Sequence, residues 1–280
     1  RIVPGSAVFG LTGCAPFATG NIGVYSDQLR ASWPIKRTKE DIGKYYRAGN
    51  ATGGGASRSQ VSVRISKALE YDIPRRTSPI AIDGKIEKAE WMGADIKKAI
   101  KMEQDPRKGV VKEGAGSYAW FLYDDKYLYA ATMHEKEPMA EGMLPSLREH
   151  IPVFEISIEG QPGTNSRGWW LDDMPTGPIY RFYFYGDGRI EVINRFHMPD
   201  SLVKKIESGI DYKVFMEDRE NLRWTSEIRI PLEDIGINPA EAERLAFNAG
   251  VWKRAGWFAW VGTGTTIGAL ENAGFIKFIK

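Results

Sequence analysis

Short runs of alternating apolar and polar residues, separated by turn-forming residues, dominate the sequence from residue 117 onward. The clearest are two aromatic-rich runs within residues 117–137, which flank Asp124-Asp125-Lys126. A strand turns successive side chains to opposite faces, so a period of two predicts a strand, and a short polar break between two such runs predicts a hairpin. The pattern therefore predicts an all-β fold, an antiparallel β-sandwich. Further runs of this kind cover residues 154–160, 179–196, 212–218, 222–232, 244–254, 257–262 and 274–280.

Few segments fit a helix. Residues 87–101 predict a helical turn, and one further turn is expected after each of Pro231 and Pro239. Ahead of them, residues 79–86 predict a strand that runs into an Asp83-Gly84 turn, because Gly accepts the left-handed backbone that a tight turn requires.

The chain divides by composition into three parts. Residues 1–35 predict two short strands, either added to the edge of a later sheet or left from a preceding domain. Residues 36–60 carry mixed charge and then three consecutive glycines, a composition that cannot bury enough apolar surface to order itself. We expect a flexible linker there and the β-sandwich domain in residues 61–280.

Composition argues against several classes of partner. The net charge of +2 comes from 38 basic and 36 acidic residues, so no strong field draws the chain to nucleic acid or to a membrane surface. No apolar run approaches the roughly 20 residues of a membrane-spanning helix. The single cysteine, Cys14, excludes an internal disulfide. It follows Leu11-Thr12-Gly13, which resembles a bacterial lipoprotein processing site, but Pro4 and Gly5 interrupt the apolar stretch and favour a small buried thiol.

No catalytic constellation stands out. The histidines, His134, His150 and His197, lack the spacing of a metal site and are expected at the surface. The glycine-rich residues 262–268 lack the lysine of a phosphate-binding loop. Adjacent carboxylates such as Asp172-Asp173 point apart and do not form a glycosidase pair. We expect no enzymatic activity.

A series of short motifs runs in a fixed order from residue 79 to the last residue. In this order and spacing, residues 79–280 resemble the family 9 carbohydrate-binding modules, β-sandwich domains attached to secreted xylanases and to many other bacterial surface proteins. The resemblance implies an extracellular or cell-surface protein. The motifs are Pro79–Ile86 with Glu90-Trp91, Tyr123–Tyr129, His134–Pro138, Phe154–Glu159, Trp224–Pro231, Phe247-Asn248, Trp260 and Gly274–Phe278.

The resemblance also implies a place for a sugar site. Family members stack a terminal sugar ring between two tryptophans, and polar side chains bind its hydroxyls. The two tryptophan positions fall near Glu149 and Ile267, so neither wall is present. Glu155 matches a sugar-contacting glutamate of the family, and Arg181 matches its arginine. A cross-strand ion pair that merely satisfies both charges is the competing interpretation.

The resemblance bears on cofactors as well. An acidic metal-binding pattern precedes that glutamate in the family, and His150–Val153 takes its place here, which puts calcium binding in doubt. Related β-sandwiches in some oxidoreductase subunits hold haem through Met and Lys ligands. Met133 and Met216 fit core packing better, so haem is an outside alternative and no cofactor is expected.

Two adjacent tryptophans, Trp169 and Trp170, precede the strand of Arg181 and offer a displaced platform for a sugar. Because neighbouring side chains of an extended chain point to opposite sides, at most one of them can face Glu155 and Arg181. Packing over the sheet edge or against a partner is the alternative for both.

Two functions remain after these exclusions. The first is a non-catalytic module that binds a glycan weakly through Glu155, Arg181 and one of Trp169 or Trp170. The second is a β-sandwich that has lost its sugar site and serves a surface assembly as a structural or protein-interaction module, docked through residues 1–60.

Overall fold

The computed structural model describes residues 69–94, 98–111, 116–137, 150–160, 178–193, 199–242, 244–270 and 273–280. The N-terminal strands and linker predicted for residues 1–60, Cys14 among them, lie outside these ranges, as do Trp169 and Trp170. The described residues form twelve strands, one α-helix and a 3₁₀ turn at Glu233–Ile235. The elements are β1 (Glu70–Pro74), β2 (Ile100–Lys101), β3 (Ser117–Tyr123), β4 (Tyr127–His134), β5 (Val153–Glu159), β6 (Ile179–Tyr185), β7 (Ile190–Val192), α1 (Asp200–Gly209), β8 (Asp211–Asp218), β9 (Arg223–Pro231), β10 (Leu245–Lys253), β11 (Gly256–Ala259) and β12 (Gly274–Ile279).

The strands form two sheets, as the alternating pattern predicts. Sheet A has the order β1-β12-β10-β5-β6-β7, with β11 also paired to β10, and sheet B has the order β2-β3-β4-β9-β8. Neighbouring strands are antiparallel except β1 and β12, which run parallel from Glu70 opposite Phe275 to Pro74 opposite Ile279. The predicted all-β sandwich is confirmed.

The core lies between the inner faces of the two sheets. Phe121 of β3 meets Phe247 of β10 edge to face, with ring centroids 5.2 Å apart. Trp224 is fully buried in the same cluster, and Trp91 is buried in a second cluster on the outer face of sheet B. Both tryptophans therefore pack in hydrophobic cores.

Two predictions from the sequence are wrong in detail, and one helix was missed. Residues 79–82 do not form a strand. Helix α1 was not predicted, although Pro199 precedes it and Ile206 is buried on one face, which are ordinary signals of a short amphipathic helix. His134 was expected at the surface, but it lies in β4 with its side chain fully buried.

One carboxylate, Glu227 of β9, joins the motifs at residues 83, 84 and 91. Its Oε2 accepts hydrogen bonds from the backbone N–H groups of Asp83 and Gly84, both at 3.0 Å, and its Oε1 accepts one from Trp91 Nε1 at 2.8 Å. Gly84 has φ of +91°, and a Cβ there would lie 2.8 Å from the backbone carbonyl carbon of Val214. Only glycine fits this turn without displacing β8.

A chain of polar side chains crosses one end of the core. Ser117 Oγ lies 3.1 Å from Nδ1 of His134, and Thr132 Oγ1 lies 3.0 Å from its Nε2 and 2.6 Å from Ser226 Oγ. The imidazole stacks on Trp224 with ring centroids 3.8 Å apart. Burial, with a further contribution from nearby Lys253, holds the pKa of His134 well below its ordinary value. Burial also lowers the pKa of Lys253, to about 8.

Replacing Glu227 with glutamine should destabilise the fold by about 1–3 kcal/mol, because the amide has one acceptor oxygen for three buried N–H donors. Urea unfolding measures the change. Glu217→Gln is the matched control, since Glu217 is an exposed strand residue paired with Arg223, and surface changes cost less than about 0.5 kcal/mol. Equal losses in the two variants would contradict the role of Glu227.

His134 should make the fold sensitive to mild acid. Its pKa is lowered in the folded state, so below an unfolded-state value near 6.5 only the unfolded chain takes up the proton. Stability should then fall as pH falls, by up to about 1.4 kcal/mol for each pH unit. Urea unfolding from pH 7.5 to 5 should show a shallower pH dependence for His134→Gln than for the wild type; parallel curves would refute this assignment.

Candidate functional site

Glu155 and Arg181 lie on the outer face of sheet A, the face turned away from the core. Their strands alternate in register: Ser157 stands opposite Arg181, and Glu155 stands opposite Tyr183. On the other side of β5, Gly250 is opposite Glu155. The inward positions between them are apolar, so the pleat of the sheet places these polar side chains together.

The two charges predicted from the sequence are in contact. Arg181 Nη2 lies 2.7 Å from Glu155 Oε1, and its Nε donates to the same oxygen at 2.8 Å. Ser157 Oγ donates to that oxygen at 2.9 Å, and Arg181 Nη2 also donates to the Tyr183 hydroxyl at 3.0 Å. The side chains are only 6% exposed for Arg181 and 1% for Glu155. The pair is therefore fixed and almost completely shielded from solvent.

Aromatic side chains continue the same face beyond the ion pair. The Tyr183 and Trp257 ring centroids lie 6.1 Å apart, and Trp257 lies 6.1 Å from Trp252 with nearly parallel planes. His150 meets Trp252 edge to face at 4.6 Å, and burial lowers the pKa of this histidine. Trp252 is 41% exposed. We call Tyr183, Trp252 and Trp257 the aromatic rim.

Residues 261–268 form a loop that packs onto this face. Asn248 of β10 donates through Nδ2 to the carbonyl oxygens of Val261 at 3.0 Å and Ile267 at 3.2 Å. Ile267 is 2% exposed. Gly268 lies against the arginine, because a Cβ at this residue would stand 2.4 Å from Arg181 Nε. The loop thus contributes to closing off the ion pair.

The structure brings together only part of the predicted site. Glu155 and Arg181 are in contact, whereas Trp169 and Trp170 lie outside the described residues, so their part in the site stays a prediction. Ile267, at the position of the family's second tryptophan wall, is buried beside the pair.

Sequence reasoning missed the aromatic rim, although it left signals. The alternation of residues 179–185 places Tyr183 on the face of Arg181. Trp252 and Trp257 flank the tight turn between β10 and β11 and stand opposite each other.

Within the described part of the chain, no group of three or more His, Cys, Asp or Glu side chains is placed to hold a metal ion. Met133 and Met216, the haem alternative, both pack partly buried against the hydrophobic clusters. No helix in the described ranges is long and apolar enough to cross a bilayer.

Comparison with known proteins gives similarity of fold. No protein family and no curated protein matches the chain. A proposed carbohydrate-binding protein from Bacteroides uniformis superposes with a TM-score of 0.52 at 10% identity, over 76% of this chain and all of that one. A family 9 carbohydrate-binding module from Caldicellulosiruptor kristjanssonii in complex with cellotriose gives a TM-score of 0.46 at 14% identity, over 75% of this chain and 93% of that one. Its glucose complex gives 0.45 at 15% identity, over 75% and 96%. At 10–15% identity these comparisons show a shared sandwich fold and nothing more. That conclusion rests on the B. uniformis structure.

Adding a methyl group at residue 268 should displace Arg181. We expect Gly268→Ala to cost about 1–3 kcal/mol of stability in the wild type and clearly less in an Arg181→Ala background, where the space is free. Urea unfolding of the four proteins of this double-mutant cycle measures the difference. Effects that add to within about 0.5 kcal/mol would show that the loop and the arginine are independent.

Proposed function

We propose that the β-sandwich is a non-catalytic glycan-binding module of a secreted or cell-surface protein. The observation that carries the proposal is the arrangement on the outer face of sheet A, where the Glu155–Arg181 pair is bordered by the aromatic rim. Aromatic faces suit the C–H patches of a sugar ring, and hydrogen-bonding side chains beside them suit its hydroxyls. The likeness of fold to a proposed carbohydrate-binding protein supports the same function.

The burial of the ion pair defines how a glycan would bind. Trp252 is the exposed member of the aromatic rim, so a sugar ring would stack there first. Contact with Arg181 would require residues 261–268 to move. Part of the interaction energy would be spent on that movement, which agrees with weak binding. Trp169 or Trp170 would add a second stacking surface for the sugar, as the sequence predicts. Calcium remains an alternative ligand, although the described residues form no cluster that would hold it.

A second candidate function follows from the same burial. Glu155 and Arg181 satisfy each other and are nearly inaccessible, as expected for a module that has lost its sugar site and serves a surface assembly. In that case the exposed ring of Trp252 would contact a neighbouring protein, and the predicted N-terminal strands would join an exposed sheet edge.

Calorimetric titration with neutral oligosaccharides, chosen from a glycan array, tests the first candidate. Trp252→Ala should weaken binding about tenfold, because an aromatic stacking contact contributes roughly 1 kcal/mol beyond its buried area. Phe215→Ala is the matched control: Phe215 is also 41% exposed but lies on β8 of sheet B, and its loss should leave affinity unchanged.

Arg181→Ala tests the ion pair itself. It leaves Glu155 buried without its cation, so its folding must be checked by thermal unfolding before its affinity is interpreted. Loss of affinity in folded Arg181→Ala and in Trp252→Ala would support the glycan module. A folded wild type that binds none of the glycans would overturn it in favour of the interaction module.

A further inference from the structure

A cleft lies on the outer face of sheet B, on the opposite side of the sandwich from Glu155 and Arg181, at the end formed by the β3–β4 turn. It has a volume of about 620 Å³, within the range of small-molecule sites. Four basic side chains line it against two acidic ones, and two tyrosines and a proline complete the wall. The basic residues are Arg75, Arg76, Lys126 and Arg229.

Arg76 is held in place within the cleft. Its Nε donates to Asp124 Oδ2 at 2.7 Å, its Nη1 donates to the Ser78 carbonyl oxygen at 3.0 Å, and its guanidinium lies 5.4 Å from the Tyr129 ring centroid. Tyr129 donates to the same Asp124 oxygen at 2.9 Å. Burial, reinforced by this bond, raises the pKa of Tyr129 to about 12, so the phenol stays a donor. This corner needs little rearrangement to meet a ligand.

Arg229 lies in β9 of sheet B, and its side chain is held by contacts within that sheet. It pairs with Asp211, and its guanidinium lies 4.8 Å from the Tyr127 ring centroid. Tyr127 and Arg229 therefore stand as a stacked cation and ring beside the Arg76 corner, with their positions set by β4 and β9.

Arg75 forms the solvent side of the cleft with a partner that is easily exchanged. It lies 2.6 Å from Asp125, but the two side chains are 48% and 77% exposed. Such exposed pairs contribute little to stability because water screens them. A ligand carboxylate can thus replace Asp125 on Arg75 at small cost, and Lys126 adds a further exposed cation next to it.

We propose that this cleft is a second binding site, and that it takes a uronate residue of an acidic polysaccharide. A planar carboxylate matches the fork of a guanidinium with two parallel hydrogen bonds. The remaining wall suits a sugar: Thr77 carries an exposed hydroxyl, and Pro79 and Tyr127 present apolar surface. The Ser78 hydroxyl donates to the carbonyl oxygens of Ala89 and Glu90 and can act only as an acceptor. The volume is larger than a simple inorganic anion requires. The site does not depend on the Glu155–Arg181 face.

Titration of the wild type with trigalacturonate, beside neutral galactotriose, tests the proposal. We expect the cleft to bind the acidic sugar and not the neutral one, with an affinity that weakens as salt rises because the contacts are charged and solvent-accessible. The double variant Arg75→Gln/Lys126→Gln should bind at least tenfold more weakly, the usual effect of losing a charged hydrogen bond. Both residues are exposed, so the variant should fold, and Arg76→Gln provides a second test within the cleft.

Two variants outside the cleft serve as controls. Arg189→Gln removes an arginine that pairs with Asp187 at 2.8 Å and lies 4.3 Å from the Tyr185 ring centroid. Arg75 has a similar setting, since it pairs with Asp125 and lies 5.7 Å from the Tyr123 ring centroid. Trp252→Ala removes the exposed part of the aromatic rim. Neither should change the affinity for trigalacturonate.

The outcomes separate this site from the one on sheet A. Loss of trigalacturonate affinity in the cleft variants, with both controls unchanged, supports the proposal even if neutral glycans do not bind at all. Failure of the wild type to bind trigalacturonate would overturn it. So would affinity that is lost in Trp252→Ala but kept in the cleft variants, or inorganic phosphate binding as tightly as the acidic sugar.

Discussion

The layer of chain that covers the outer face of sheet B depends on the hydrogen bonds that the Glu227 carboxylate accepts. A carboxylate on the outer face of a sheet normally faces water, but this one is fully buried under residues 80–94. Burial raises its pKa even though three N–H groups favour the ionised form. The energy of those bonds is what lets a stretch without strands or helices, Trp91 included, pack against Trp120 and the outer face of sheet B. The segment that leads from β1 into that stretch, residues 75–79, also forms one wall of the basic cleft.

The outer faces of the two sheets pair their charged side chains in different ways. On sheet A, Glu155 and Arg181 neutralise each other, and Asn248 ties a loop beside them. On the cleft side, Arg75 and Asp125 remain largely in water and pair loosely. A buried pair is costly to break, whereas an exposed pair exchanges partners readily. The first face is therefore built for rigidity and the second for exchange.

The sequence predicts the strands because alternation is a local signal. Glu155 and Arg181 are singled out only by the resemblance to a known family, with a cross-strand ion pair as the competing interpretation, because alternation gives the face of a strand and not its register. It misplaces residues 79–82, where the alternating pattern of Ile80 and Ile82 serves packing onto sheet B without a partner strand. The cleft could not be predicted, since Arg75 and Arg229 meet only through tertiary structure. His134 was expected at the surface although one of its hydroxyl partners, Thr132, lies two residues earlier on the same face of β4; the other, Ser117, is contributed by β3.

The parallel pairing of β1 with β12 has a mechanical consequence. Whatever precedes Glu70 leaves the sheet at the end where β12 begins, and whatever follows Ile279 leaves at the opposite end. Tension applied through those two points would pull the strands past each other along their length. The backbone bonds between them, with the Lys277–Glu70 ion pair, would then bear the load together and resist as a set. Tension across the strands would instead open the same bonds one after another.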